Sequence, residues 1–305
     1  MDLFLMSAGT AIMVRVIAAH ILLPVVFKAK VVGGNRRTER FLWQFVFTFI
    51  MAALIALVLG DLVVDARFWI VILVGAIAGS GTFFSWKATN ISLSRNSLFA
   101  FWDDLIPMGL SYYFFHEGRF ITAPVGVGIA MSILAVLGFI WYGRFQKSKK
   151  GELGTAPPLA FYLYVATYSV AWGLAAFAQR YWALKELSVP TFLFGWYIGT
   201  LIVAVLIFLF YKDKAEDQKS TAPLLLKDIV ATFVVAVLIL VSLGLALIAY
   251  RLPQVAVQPI FLVTEMVFPS LIGLFVFHER KQFARIEWLF FALGAAGALL
   301  VSVSI

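Results

Sequence analysis

Two short stretches of this chain carry the same six residues. Phe99, Asp103, Pro107, Phe115, His116 and Glu117 match Phe261, Glu265, Pro269, Phe277, His278 and Glu279 at a constant offset of 162 positions, so the pattern F-x3-[DE]-x3-P-x7-F-H-E occurs twice. Each copy runs through an apolar segment, which puts its acidic residue among non-polar neighbours. A charge in the middle of a bilayer costs on the order of 2.5–3.5 kcal/mol even on the lenient insertion scale. Arg15, Asp103, Asp104 and Glu265 all fall about half-way along such segments, and each therefore needs a cavity or a partner. A midplane carboxylate suits two kinds of chemistry. It binds an amine or other cation, or it carries a coupling proton by alternating between charged and neutral forms. Arg15 has the fork geometry to hold a substrate carboxylate in a bidentate pair. Acids and a guanidinium around one cavity suit a zwitterion such as an amino acid.

Each of these residues also has a purely structural reading. Asp103 and Glu265 are expected at the centre, with Arg15 as counter-ion to one of them, or else in buried structural pairs with Arg15 or Lys87. Asp104 projects about 100° from Asp103 on a helix and is expected in a different environment. Pro107 and Pro269 follow the repeated acids by one turn, and each removes a helical hydrogen bond and frees a carbonyl. That kink lines a cavity or merely adjusts packing. The pairs His116-Glu117 and His278-Glu279 lie where their segments end, as interfacial caps or gate contacts. Of the 9 Trp, 10 Tyr and 30 Phe, most fit an aromatic belt or a lipid-facing surface, with Trp69, Trp141, Trp182 and Trp288 near segment ends. Trp86, Trp102, Trp172 and Trp196 are less easily placed there, and Trp102 adjoins Asp103 as a candidate cation-π wall. Gly79, Gly81, Gly294 and Gly297 read as close helix contacts. They do not form a phosphate-binding loop, so nothing points to an ATP-driven pump.

The elements that position these residues follow from composition. Of 305 residues 63% are hydrophobic and 13% charged, and the mean hydropathy is +0.97. A soluble domain is about half apolar and a quarter charged, so lipid is the solvent for most of this chain. The absence of cysteine and the scatter of His20, His116 and His278 argue against thiolate or zinc-hydrolase sites, and no metal or cofactor is expected. The net charge of +8 belongs to short clusters between apolar runs and not to a nucleic-acid-binding face. A membrane-crossing helix takes about 20 residues. Ten apolar runs meet that length, near 4–27, 41–60, 67–86, 95–115, 121–143, 159–182, 189–211, 229–250, 255–277 and 286–305. The first has no basic region before it and exceeds a signal-peptide core, so it is expected to remain as a helix.

Charge placement supports an even number of spans. In the ten-span arrangement 18 Lys and Arg residues fall on one side and 5 on the other. The positive-inside rule then puts both termini outside the cytoplasm. Each copy of the repeated pattern fills the fourth run of a five-run unit. Two odd units in tandem enter the membrane in opposite senses, which makes the repeat inverted. The expected fold is all-α and polytopic: residues 1–146 form one five-helix repeat, 147–158 a linker rich in Lys, Gly and Pro, and 159–305 the second repeat.

Five plus five helices, a fourth helix with a mid-span proline and a terminal Glu, and a Gly-rich fifth helix with Gly294 and Gly297 resemble the drug/metabolite transporter superfamily. The resemblance is to its ten-helix exporters with two EamA-type repeats, and it covers nearly the whole chain. It implies a carrier of amino acids, metabolites, nucleotide sugars or drugs in a multi-pass bacterial inner membrane. The family is usually drawn with cytoplasmic termini, opposite to the charge count. The expected function is a secondary active transporter, an exporter by this resemblance, moving a small organic solute by alternating access, with protons as a candidate coupling ion. The competing class is a polytopic enzyme acting on lipid-linked substrates, with Asp103, Asp104 and Glu265 as acid/base or metal groups. Short loops and mid-span acids favour the carrier.

Overall fold

A computed structural model describes residues 7–32, 36–99, 101–117, 122–142, 158–211 and 224–303. Among them the regular structure is helical throughout, and eight helices are long and apolar enough to cross a membrane. These are α1 (Ala8–Val31), α2 (Arg37–Leu59), α3 (Ala66–Ile91), α6 (Ala123–Trp141), α7 (Leu159–Leu184), α8 (Val189–Phe210), α9 (Leu226–Ala249) and α10, which is α-helical over Gln254–Leu271 and π-helical over Ile272–Val276. The run expected at 95–115 is divided into α4 (Leu93–Phe99) and α5 (Phe101–Phe114), and the last run is α11 (Arg285–Val303). Apart from Pro158, the linker expected at 147–158 lies outside the described residues, as does most of the connector after α8.

Local chemistry sets several of these boundaries. Asp65 accepts hydrogen bonds from the backbone N–H groups of Arg67 and Phe68 and starts α3, while Gly60, at φ +66°, ends α2 in a left-handed turn that a side chain would strain. Pro24 lies inside α1 and lacks the N–H that would close the preceding turn. The chain around it is π-helical over Val16–Leu22 and Phe27–Val32, with Arg15 and His20 beside the wider turns.

Packing is close where side chains are small. A Cβ on Gly75 would collide with the carbonyl of Trp196, so α3 and α8 meet backbone to backbone. Successive contacts of α6 with α11 run Gly128 to Gly297, Ser132 to Gly294 and Gly138 to Phe290. Rising numbers on one helix meet falling numbers on the other, so this pair is antiparallel. Outward faces remain apolar: Leu57, Val58, Phe210 and Leu226 are each about three-quarters exposed or more. Such a surface suits lipid and not water. Trp69, Trp141 and Trp288 are exposed near helix ends, whereas Trp182 is buried in the main apolar cluster, contrary to its expected place in an aromatic belt. Its ring joins the cluster that holds Phe192, Leu247 and Tyr250, on the face of α7 turned to the other helices, which covers it.

Candidate functional site

The centre of the bundle holds a cavity of about 240 Å3, with walls drawn from α1, α2, α3, α4, α5, α7, α8, α9 and α10. Arg15, Asp103, Asp104, Glu265 and Pro269 all line it. Helix breaks help to aim them. Pro107 and Pro269 cannot donate to the carbonyls four residues earlier, which belong to Asp103 and Glu265. On the α5 side, Gly173 of α7 sits against this turn, and a Cβ there would come within 3.1 Å of the Asp103 carbonyl. The missing side chain lets α7 close over the kinked segment.

The polar atoms of the cavity are only partly matched. Asp103 Oδ1, Asp104 Oδ2, Arg15 Nε and Nη1, Asn96 Oδ1, Trp86 Nε1 and Tyr197 Oη are buried without a hydrogen-bond partner, and all belong to residues of the cavity wall. A buried polar group left unpaired costs roughly 1–3 kcal/mol, and more if charged. They cluster in the wall of one space, each covered by neighbouring protein atoms, so that a small movement of the wall would offer them to a ligand. Aromatic rings form much of the remaining wall: Trp86, Trp172, Trp196, Tyr168 and Tyr197. Trp172 and Trp196 lie 6.3 Å apart, centroid to centroid, with their rings tilted by 48°.

Two partnerships differ from expectation. Arg15 makes no close ion pair with Asp103 or Glu265, although its charge acts favourably on both carboxylates from farther away. Its guanidinium stacks 3.7 Å above the centre of the Phe261 ring, on the same helix as Glu265 and one turn earlier. The aromatic face supplies negative potential there without a proton acceptor, which leaves donors free. The imidazole nearest Glu265 is that of His20, with Nε2 3.9 Å from Oε2. His20 Nδ1 lies 2.7 Å from the Thr264 hydroxyl, and that hydroxyl donates to the Ile260 carbonyl at 2.7 Å. Thr264 must then accept from His20 Nδ1–H, so Nε2 is the nitrogen that gains or lacks a proton.

Asp104 also departs from expectation, because it borders the same cavity as Asp103. Residues 100° apart on a helix can flank one opening when the opening faces the direction between them. Asp104 accepts from Gln258 Nε2, and Gln258 Oε1 accepts from the Tyr250 hydroxyl at 2.7 Å. Lys87, the other structural partner considered, donates to the Tyr211 hydroxyl and lies over the rings of Phe83, Tyr164 and Tyr211, with no ion pair to either acid. Trp102 packs into the apolar cluster of Ala88, Leu98 and Phe161, off the cavity wall, and Pro107 is buried without lining it.

The His-Glu pairs lie farther out. His116 and His278 are exposed, and both adopt φ 55°, a left-handed conformation that stops the helix and turns the next residue inward. The glutamates that follow are buried. Glu117 accepts from Arg180 Nη2 at 2.9 Å, and Glu279 accepts from Lys28. Glu279 also accepts from Ser92 Oγ at 2.9 Å, the Leu93 N–H at 3.0 Å, and Ser94 through its N–H at 2.9 Å and its Oγ at 2.6 Å. It thus caps the N-terminus of α4. Burial alone would raise the Glu279 carboxyl, but the Lys28 ammonium and the donors of Lys28 and Ser94 outweigh it and hold the group below the usual glutamate range.

Sequence reasoning missed His20, Gln258, Lys28 and Arg180. His20 was weighed only against a zinc pattern, and Lys28 and Arg180 only as loop charges. Gln258 had a visible signal: at the offset of 162 it matches Asn96, and both side chains line the cavity.

No protein-family model and no curated protein matches this chain. Among solved structures, one described only as "Crystal structure of protein" superposes with a TM-score of 0.57 at 16% identity, covering 97% of this chain and 96% of its own. That likeness concerns the fold alone, end to end. What the chain belongs to, on these grounds, is the class of all-α proteins with a bundle of membrane-length apolar helices around a central polar cavity.

Proposed function

We propose that this protein is a secondary active transporter of a small organic solute, working by alternating access around the central cavity. In this reading ten helices span the membrane as two inverted five-helix repeats, as in the EamA-type exporters that the sequence resembles. The observation that carries it is the convergence of Asp103 and Glu265, equivalent residues of the two repeats, with Arg15 on one incompletely satisfied cavity. A structural polar core would pair its atoms; a carrier leaves them for cargo and proton. The inverted arrangement draws support from the antiparallel contact of α6 with α11, and from the matching backbone at His116 and His278.

The cargo best suited to the walls carries an amine, for the carboxylates, on a flat apolar body, for Trp86, Trp172 and Trp196. Arg15 accommodates a carboxylate on the same molecule, so amino acids and related metabolites are the first candidates. Glu265, with the His20 imidazole beside it, is the coupling element in this reading. An enzyme acting on lipid-linked substrates would need its acids open to the lipid interface, whereas these lie inside the bundle.

The test is transport in proteoliposomes of a panel of amino acids, amines and sugar phosphates, with and without a pH gradient. Gradient-driven accumulation of an amine-bearing solute is expected, and Asp103→Asn and Glu265→Gln should each abolish it in folded protein. Exchange without accumulation in Glu265→Gln assigns the proton to that residue. Wild-type accumulation in both variants removes the pair from the mechanism. Orientation is tested separately: a C-terminal fluorescent protein that matures in the cytoplasm, with an inactive phosphatase fusion at the same place, overturns the external termini.

A further inference from the structure

We infer that Lys28–Glu279 and Arg180–Glu117 are a matched pair of latches that close opposite mouths of the cavity, and that each opens while the other holds. The inference rests on the carrier reading for its purpose, but its geometry stands apart. Lys28 and Arg180 are separated by 152 positions, close to the 151 between the starts of α1 and α7. They therefore lie at matching depths, within one residue, on the first helix of each half. Each makes the same three contacts. Lys28 donates to the Thr89 carbonyl at 3.3 Å and to Glu279, and lies 5.6 Å from the centre of the Phe277 ring. Arg180 donates to the Tyr250 carbonyl at 2.6 Å and to Glu117, and lies 5.9 Å from the centre of the Phe115 ring. Thr89 and Tyr250 both lie at the C-terminal end of the third helix of a half, α3 and α9. Phe115 and Phe277, like the two glutamates, are equivalent in the repeat.

The two latches lie at opposite ends of the bundle. Lys28 and Glu279 are beside the end of α3, at Thr89 and Ser92. Arg180 is one turn before the end of α7, and the α7–α8 turn is tied to the start of α3: Ser188 donates to the Asp61 carbonyl, and the Val63 N–H donates to Thr191. The 26 residues of α3 lie between, about 39 Å at 1.5 Å per residue. Both latches also touch the cavity wall. Thr89 and Leu93 line it at one end, and Gln179 and Tyr250 at the other.

Each latch binds the first helix of one half to the end of the fourth helix of the other. Those fourth helices carry Asp103 and Glu265, each 14 residues before its latch glutamate. Releasing one end while the other stays tied lets the carboxylate-bearing helix tilt about the tied end and opens the cavity to one side only. With both pairs formed, as here, the ends of both fourth helices are held. Because the two open forms compete for one population, weakening one latch must disfavour opening at the other.

The native chain contains no cysteine, so Ser85→Cys, on the cavity wall, supplies a single thiol. Its rate of reaction with a membrane-impermeant charged maleimide is measured from each face of sealed proteoliposomes of known orientation. Lys28→Met should speed labelling about five-fold or more from the face that bears the Lys28 end, and slow it from the other. Arg180→Met should do the reverse, and Lys28→Arg should match the parent. If Lys28→Met does not fold, Glu279→Gln carries the same expectation. Rates that change equally from both faces, or not at all, overturn the latches. Labelling needs no solute, so sided labelling in a protein that transports nothing sinks the carrier reading alone. Transport with unsided labelling sinks the latches alone.

Discussion

At one end of the bundle Glu279 is fastened to Lys28 and to the first turn of α4; at the other, Glu117 is fastened to Arg180, whose second nitrogen holds the carbonyl of Tyr250. The charges match, but the wiring around them does not. Ser92, which caps α4 and donates to Glu279, has Gln254 at its equivalent position. Gln254 instead accepts from Ser111 and donates to Gln258. From there the contacts continue inward, from Tyr250 and Gln258 to Asp104 in the cavity. One latch is thus built into the start of a helix, and the other is joined through side chains to the carboxylates. A duplicated motif keeps the charge pair while the surroundings diverge, so the two mouths are not interchangeable.

Removing the cap should produce the largest effect. Glu279→Ala strands Lys28 and the donors of Ser92, Leu93 and Ser94, and loss of one partner of a buried ion pair costs about 3–5 kcal/mol. Lys28→Met should cost clearly less, because those donors still hold the carboxylate. Thermal unfolding in detergent, followed by tryptophan fluorescence, ranks the two, and equal losses would mean that capping α4 contributes nothing.

Next in size is Gln258→Leu. It leaves the Tyr250 hydroxyl and Asp104 without their shared partner and should cost about 1–3 kcal/mol. In the labelling assay it should alter access from the Arg180 end and leave the Lys28 end at its parental rate. A change confined to the Lys28 end contradicts the wiring described above.

Acid should erase part of the asymmetry. The Glu279 carboxyl lies below its usual range in the folded protein, because Lys28, Ser92, Leu93 and Ser94 all favour its charged form. A depressed carboxyl contributes stability that is present above its unfolded pKa, about 4.3, and is lost as pH falls through the folded value. The melting-temperature gap between the parent and Glu279→Gln should therefore be full near neutrality and shrink below about pH 4. A gap that persists unchanged in acid removes the charge from the explanation.

The smallest effect expected is that of Arg180→Lys. Lysine at the equivalent position already bridges a carbonyl and a glutamate, so the exchange should cost within about 1 kcal/mol. A loss as large as that of Arg180→Met would show that the Arg180 end needs the guanidinium fork itself, and that the two latches share charge but not geometry.

The sequence by itself determined where the helices run and which residues repeat. Twenty-residue apolar stretches have no stable fate but a helix in lipid, so the expected run at 189–211 is found over Val189–Phe210 and that at 159–182 over Leu159–Leu184. A constant offset is likewise visible in one dimension, which is why Asp103, Glu265, Glu117 and Glu279 stood out. Partners were decided only in three dimensions. Arg15 rests on Phe261, 246 positions away, His20 approaches Glu265 across 245, and Lys28 reaches Glu279 across 251. Spacing along a helix reports which face a residue occupies but not which helix lies against that face. For Asp103 and Asp104, even the separation of faces was decided by the shape of the cavity, which is broad enough to meet both.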